Sequence, residues 1–278
     1  MLNPKSKFIS SCLCYNNHSK NYRERKMSDT QFKEFEEAMT GAIATKNKKG
    51  FMFKELSEIS KQYLEYSKSC NRVLEIGCAY GISVLPILNL EKVTVHAVDL
   101  SDDHLKILKS KLTPNQNYYF MPTIGEFPVN THYENYFFDA IHISNVLHFI
   151  RGENFNLALE KCFNWLKPHG KIFINTCALY LPYFTDFIST YENRKKAGIK
   201  WPGEIENLKD FIPKDASKAQ IDAEPDFIHV FIKEDLEHHF KHAGFTIEQS
   251  LYFTLENADY LKYADDTKSM VGLIAKKP

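Results

Sequence analysis

A short apolar run, Arg72-Val73-Leu74-Glu75-Ile76, breaks at Gly77, and a helical pattern from Ile82 to Asn89 follows Gly81. This strand, glycine turn and helix constrains the chain more than any other feature, because the same unit then repeats. Val93 to Val98 forms a second run ending on Asp99, and Ser101-Asp102-Asp103 supplies the start signal for a helix through Leu105, Leu108 and Leu112. A third strand is expected over Asn117 to Met121 and a fourth over Asp139 to Ser144. A helix from Glu153 to Leu166 leads through the turn Lys167-Pro168-His169-Gly170 into a fifth strand, Lys171 to Asn175. Strands that are apolar on both faces and separated by helices pair in parallel, with helices covering each side. The fold class is therefore α/β, a doubly wound and mostly parallel sheet.

The flanking regions divide the chain. Residues 1–26 carry six basic side chains against Glu24 and no sustained periodicity, and are read as a mobile basic tail. Residues 27–70 are read as N-terminal helices, one starting at Ser28-Asp29-Thr30 and running through Phe32, Phe35 and Met39, the other from Phe53 to Ser69 with Leu56, Ile59, Tyr63 and Tyr66 on one face. The main domain covers residues 71–176 and 228–278. Between them, residues 177–227 lose the alternation and gather aromatic side chains, as expected of a helical lid or substrate insertion. The alternation returns with a helix at Lys233 to His242, a stop at Gly244, and strands near Phe245 to Phe253 and Met270 to Lys276, close enough to pair antiparallel.

Thirty-five basic and 35 acidic residues cancel, so no global field draws the chain to nucleic acid or an anionic membrane. No apolar run reaches the roughly 18 residues of a membrane span. The six cysteines show neither a C-x-x-C pair nor zinc spacing, so no metal site is expected and the thiols point to a cytoplasmic setting.

A glycine at a strand's end lets backbone approach a ligand closely, and a following helix turns unpaired N–H groups toward it. An acid at the end of the next strand, Asp99, can accept hydrogen bonds from both hydroxyls of a ribose. The alternative is that Gly77 and Gly81 only make the turn and Asp99 only caps a helix. Taken jointly, their placement describes a nucleoside crevice.

The turn also resembles a known family. Glu75-Ile76-Gly77-Cys78-Ala79-Tyr80-Gly81 is similar to the acid-x-Gly-x-Gly-x-Gly motif of class I S-adenosylmethionine-dependent methyltransferases, with Ala79 in the middle glycine position. Val95 to Ser101, Phe138 to His148 and Leu166 to Lys171 resemble that family's second strand, fourth strand and the turn before its fifth. The match covers about residues 50–176 and 228–276. It implies a Rossmann-like methyltransferase fold with a seven-stranded sheet, an antiparallel last strand, and S-adenosylmethionine as cofactor. It places Glu75, Gly77, Cys78, Ala79, Gly81, Asp99, Leu100 and Ser144 against that cofactor. The family's acid after the third strand is missing from Met121 to Pro128, and Thr123 or backbone near Ile124 is expected at adenine instead.

Methyl transfer from a sulfonium is an in-line displacement, so positioning and dryness are the protein's main tasks. His148, just past the fourth strand, is the candidate general base; its alternative is a structural role. His142, inside the strand, is read as a hydrogen-bonded core residue. Tyr180, Tyr183 and Trp201 are candidates for a wall over a small-molecule acceptor, the alternative being that they form the insertion's own core. Three rivals stand beside methyl transfer to an O or N nucleophile. A nicotinamide dehydrogenase is opposed by the spacing, which gives Gly77, Ala79 and Ile82 where three glycines are required. An aminopropyltransferase requires an acidic polyamine pocket. A catalytically silent nucleoside-binding protein requires only the crevice.

Overall fold

Strand pairing follows the apolar runs. In the computed structural model, which describes residues 41–45, 51–211, 225–254 and 268–278, a hairpin joins β1 (Ala42–Ala44) to β2 (Phe51–Phe53). Seven further strands form the main sheet: β3 (Arg72–Ile76), β4 (Thr94–Asp99), β5 (Phe120–Ile124), β6 (Phe138–Ser144), β7 (Leu166–Cys177), β10 (Thr246–Phe253) and β11 (Met270–Lys276). Their order is β10-β11-β7-β6-β3-β4-β5. The pairs among β3, β4, β5, β6 and β7 are parallel, whereas β11 runs antiparallel to both β7 and β10. The expected architecture, including the antiparallel last strand, is the one found.

Pleating divides each strand between two cores. Leu74, Ile76, Ile141, Ile143, Ile172 and Ile174 join α5 (Gly152–Trp165) and α7 (Lys233–His242) on one face. Val73, Val95, Ala97 and Phe173 join α1 (Glu58–Ser67), α2 (Val84–Leu88) and α3 (Asp102–Ser110) on the other. Each fully buried aliphatic side chain contributes roughly 1.5–3 kcal/mol. A one-residue slip would exchange the two cores, so the register is strongly set. Gly244, with φ 97°, ends α7 as expected.

Several boundaries move for local reasons. The helix expected from Phe53 begins at Glu58, because the Ser57 hydroxyl accepts the Ser60 N–H as its N-cap and Phe51–Phe53 pairs with the preceding hairpin strand. The third sheet strand starts at Phe120, not Asn117, because Thr113 and Gln116 form a reciprocal capping box that winds Pro114–Tyr118 into α4. Lys167 to Gly170 is not a turn before β7 but part of it, accommodated by a register shift opposite Phe138 and a left-handed His169. The tail and the helix through Phe32, Phe35 and Met39 lie outside the described residues. No helix among the described residues is long and apolar enough to cross a membrane.

The insertion holds a 3-10 turn (Pro182–Phe187), α6 (Ile188–Lys196) and β8 (Glu204–Ile205), which pairs antiparallel with β9 (Ile228–His229). Its apolar cluster includes Leu181, Phe184, Phe187, Tyr191 and Leu208, and also takes in Phe53 from the hairpin.

Candidate active site

The sheet's strand order reverses between β3 and β6, which leaves a crevice beyond the carboxyl ends of β3, β4 and β6. Gly77, Asp99, Ser144 and Asn145 meet there and line one cavity with Glu75, Cys78, Ala79 and Leu100. Gly77 has φ 75°, and a Cβ on it would stand 2.2 Å from Val146 Cγ2, so only glycine fits. Ala79 also sits in the left-handed region, at φ 42°. Its N–H donates to Asp99 Oδ2 at 2.8 Å, which fixes the turn to the end of β4.

The turn's N–H groups are not the free donors expected of a helix start. Gly77 and Cys78 donate to Val98 O, Ala79 to Asp99, and Gly81 to Cys78 O. The helix that follows, α2, is a single short turn of five residues. What faces the cavity is acidic instead. Asp99 is only 6% exposed, and its Oδ1 accepts from Ser101 N–H at 2.8 Å and from His104 Nδ1 at 3.0 Å.

Glu75 is buried one strand away. It accepts from the Ser83 hydroxyl at 2.7 Å, and His142 Nδ1 lies 2.9 Å from each of its oxygens. His142 Nε2 meets Ser60 Oγ at 3.0 Å, and its ring stacks on Tyr63. Asn175 Nδ2 donates to Ser60 Oγ and to Ser144 Oγ, while the Ser57 hydroxyl donates to Asn175 Oδ1. The N-cap of α1 thus belongs to the polar floor of the cavity.

The other end of the cavity is apolar. Met52 and Phe53 come from the hairpin, Phe149 and Ile150 from the segment after β6, and Phe253 and Met270 from the last two strands. The hairpin is held down by Tyr80, whose hydroxyl donates to Ala44 O at 3.2 Å. Burial pushes the Cys78 thiol well above its usual range, so it stays protonated.

The structure therefore gathers Glu75, Gly77, Cys78, Ala79, Asp99, Leu100 and Ser144 on one cavity. Gly81 stands behind them, where a Cβ would strike Leu108. Thr123 accepts from the Tyr133 hydroxyl, and Ile124 is exposed; neither lines the cavity, whose third-strand wall is Gly125, Glu126 and Phe127. The later start of β5 accounts for that shift. His148 is 5% exposed with Nδ1 3.5 Å from Thr176 Oγ1, behind the lining residue Phe149, and burial lowers its pKa to about 3. Trp201 stacks on His239, and Tyr180 packs edge-on against Tyr252; neither lines the cavity. Tyr183 lies in the 3-10 turn of the insertion. Sequence reasoning missed His104, the polar floor and the hairpin's contribution. Only the polar residues of β7 carried a signal, since Asn175 and Thr176 interrupt an apolar run.

Comparison with known proteins agrees with this geometry. A family model described as a methyltransferase domain matches residues 49–250. The chain belongs to the methyltransferase-domain family. Phosphoethanolamine N-methyltransferase of Plasmodium falciparum is 25% identical over 130 residues, 45% of this chain and 47% of that protein. The chain thus spans about half the length of the curated relative it matches. Among solved structures, a SAM-dependent methyltransferase from Methanosarcina mazei has a TM-score of 0.56 at 16% identity, covering 80% of this chain and 98% of that one. The 1,6-didemethyltoxoflavin-N1-methyltransferase of Burkholderia thailandensis has a TM-score of 0.51 at 16% identity, covering 79% of this chain and 76% of that one. These two likenesses show the methyltransferase fold.

S-adenosylmethionine is the cofactor that membership in this methyltransferase family implies, and the residues present fit it. Gly77 lines the cavity in a left-handed turn packed against Val146, and Asp99 Oδ2 retains a free acceptor position beside that turn. Leu100, 41% exposed next to Asp99, offers an apolar face for a base. Two buried carboxylates, Glu75 and Asp99, suit a ligand carrying sulfonium and ammonium charges.

Proposed function

We propose that this chain transfers a methyl group from S-adenosylmethionine to an oxygen or nitrogen nucleophile of a small molecule. The observation that carries the reading is the continuity of one cavity from the Gly77–Asp99 crevice to an apolar chamber lined by Phe53, Phe149, Phe253 and Met270. When bound, the cofactor supplies a methyl group activated on a sulfonium.

The protein's part is placement. Asp99, Leu100 and the left-handed turn hold the nucleoside, and Ser144 and Asn145 line the cavity beside the methionine portion. The apolar chamber excludes water and limits the acceptor's orientations, the condition under which proximity lowers the barrier. Phe53 lines the chamber and packs in the insertion's cluster, which supports the reading of residues 177–227 as its cover. An apolar chamber and a balanced charge favour a small molecule over nucleic acid. Two of the three proteins compared are N-methyltransferases by name, which supports nitrogen as one nucleophile. Among the described residues, the unbridged thiols of Cys70, Cys78 and Cys162 support a cytoplasmic setting.

His148, buried behind Phe149 and absent from the cavity lining, is taken in its structural alternative, and the reading assigns no general base. A neutral amine requires no base.

The test is transfer of labelled methyl from S-adenosylmethionine into fractionated extract, with wild type beside Asp99→Ala. Label is expected in the low-molecular-mass fraction, falling about a hundredfold at subsaturating cofactor in the variant. Label confined to protein or nucleic acid, or unchanged in Asp99→Ala, would overturn the proposal.

A further inference from the structure

His104 lines the nucleoside end of the cavity, and its imidazole is 1% exposed. The Nδ1 atom lies 3.0 Å from Asp99 Oδ1. A carboxylate only accepts, so Nδ1 carries the hydrogen and donates it. In the neutral ring that leaves Nε2 with the lone pair, as an acceptor. Among the described residues Nε2 has no hydrogen-bond partner, although it is buried. A buried polar atom without a partner costs about 1–3 kcal/mol, so its position calls for an explanation.

The count of acceptor positions on Asp99 supplies one. A carboxylate offers roughly four lone-pair positions. On Oδ1 two are taken, by Ser101 N–H and His104 Nδ1–H, and on Oδ2 one is taken by Ala79 N–H. A single position remains, on Oδ2. A ribose brings two neighbouring hydroxyl donors, and Asp99 can receive only one of them. The adjacent acceptor that stands idle is His104 Nε2.

We propose that His104 is a second ribose-recognition residue: Asp99 Oδ2 accepts one ribose hydroxyl and His104 Nε2 accepts the other. The inference rests on the reading of this cavity as an adenosyl site. It makes the site selective for an intact diol, and it explains why the imidazole is anchored by Asp99 instead of free to turn. Tyr80, edge-on to the ring at a centroid distance of 5.0 Å, further limits its rotation.

The experiment is calorimetric titration of the full chain with S-adenosylhomocysteine and its 2′-deoxy and 3′-deoxy analogues, for wild type, His104→Asn and His104→Gln. Asparagine places an amide donor near the Nδ1 position and keeps the Asp99 bond, but offers nothing at Nε2. Glutamine reaches the Nε2 position with a carbonyl oxygen. We expect His104→Asn to weaken S-adenosylhomocysteine about tenfold. One of the two deoxy analogues, which binds wild type less well than the parent, should bind His104→Asn as well as the parent does. His104→Gln should recover most of the lost affinity.

Binding of S-adenosylhomocysteine to His104→Asn within about twofold of wild type would overturn the proposal, as would deoxy penalties that persist undiminished in that variant. If His104→Asn does not fold, the glutamine variant decides alone: near-parental affinity with a retained deoxy penalty supports the assignment, and a tenfold loss overturns it. Wild type that binds no S-adenosylhomocysteine at millimolar concentration would instead sink the adenosyl reading itself, so the two failures are distinct.

Discussion

Two buried acid–imidazole pairs stand on adjacent strands, and they differ in one atom's surroundings. Glu75 on β3 holds His142 through Nδ1 at 2.9 Å, and Asp99 on β4 holds His104 through Nδ1 at 3.0 Å. On the far side of the first ring, Nε2 meets Ser60; on the far side of the second it meets no partner among the described residues. The first pair is completed within the protein and serves as the polar keel of the sheet. The second is left open, beside a turn built for close approach. Identical local chemistry thus serves the fold in one place and a ligand in the other, and the difference lies in the last hydrogen bond of each chain.

The comparison is broken most sharply by removing the closed pair. His142→Leu leaves Glu75 with only the Ser83 hydroxyl in a dry environment and strips Ser60 of a partner. A loss of about 3–5 kcal/mol is expected, seen as a lower urea midpoint at unchanged slope. A loss below about 1 kcal/mol would mean that the closed pair is not structural.

Histidines without an acid partner provide the control for both pairs. His148 and His229 are buried with pKa values lowered to about 3 and about 4 by desolvation. The unfolded chain titrates near 6.5, so between that pH and about 4 it binds protons that the native state does not. Stability therefore rises with pH in this window and falls on acidification, by up to about 1.4 kcal/mol per pH unit for each ring. His229→Asn keeps a donor for Ile150 O and removes one titration, so unfolding midpoints measured from pH 7 to 5 should fall less steeply. An unchanged slope would show that His229 is already charged in the fold.

The smallest effect concerns what the open pair holds in place. Ala79 occupies the left-handed region with its N–H on Asp99. Ala79→Gly relieves roughly 1–2 kcal/mol of strain and adds about 0.5–1 kcal/mol of unfolded-state entropy. The net change should be neutral to about 1 kcal/mol stabilising, with S-adenosylhomocysteine affinity retained. Destabilisation beyond about 1 kcal/mol in a thermal melt would show that the alanine methyl is needed for packing.

What the sequence made legible was whatever depends on neighbours along the chain. The glycines at 77 and 81, the apolar runs of β3, β4 and β6, and the acid closing β4 are local signals, and their joint spacing pointed to the crevice. His142 was placed correctly as a bonded core residue because it interrupts an apolar strand. His104 was not legible, since its interest lies in a partner that is missing in space, and in sequence it is one more polar residue of an amphipathic helix. The hairpin escaped notice because its strands are three residues each and one of them is alanine-rich. Thr123 and Ile124 fall outside the cavity lining because the capping box at Thr113 consumes the residues expected to open β5.

Gly152, the first residue of α5, lies under Trp201: a Cβ there would stand 2.1 Å from the indole Cγ. The domain and its insertion therefore inherit one volume between them. In evolutionary terms the two positions are coupled, because a side chain acquired at 152 obliges the indole at 201 to move or to be replaced.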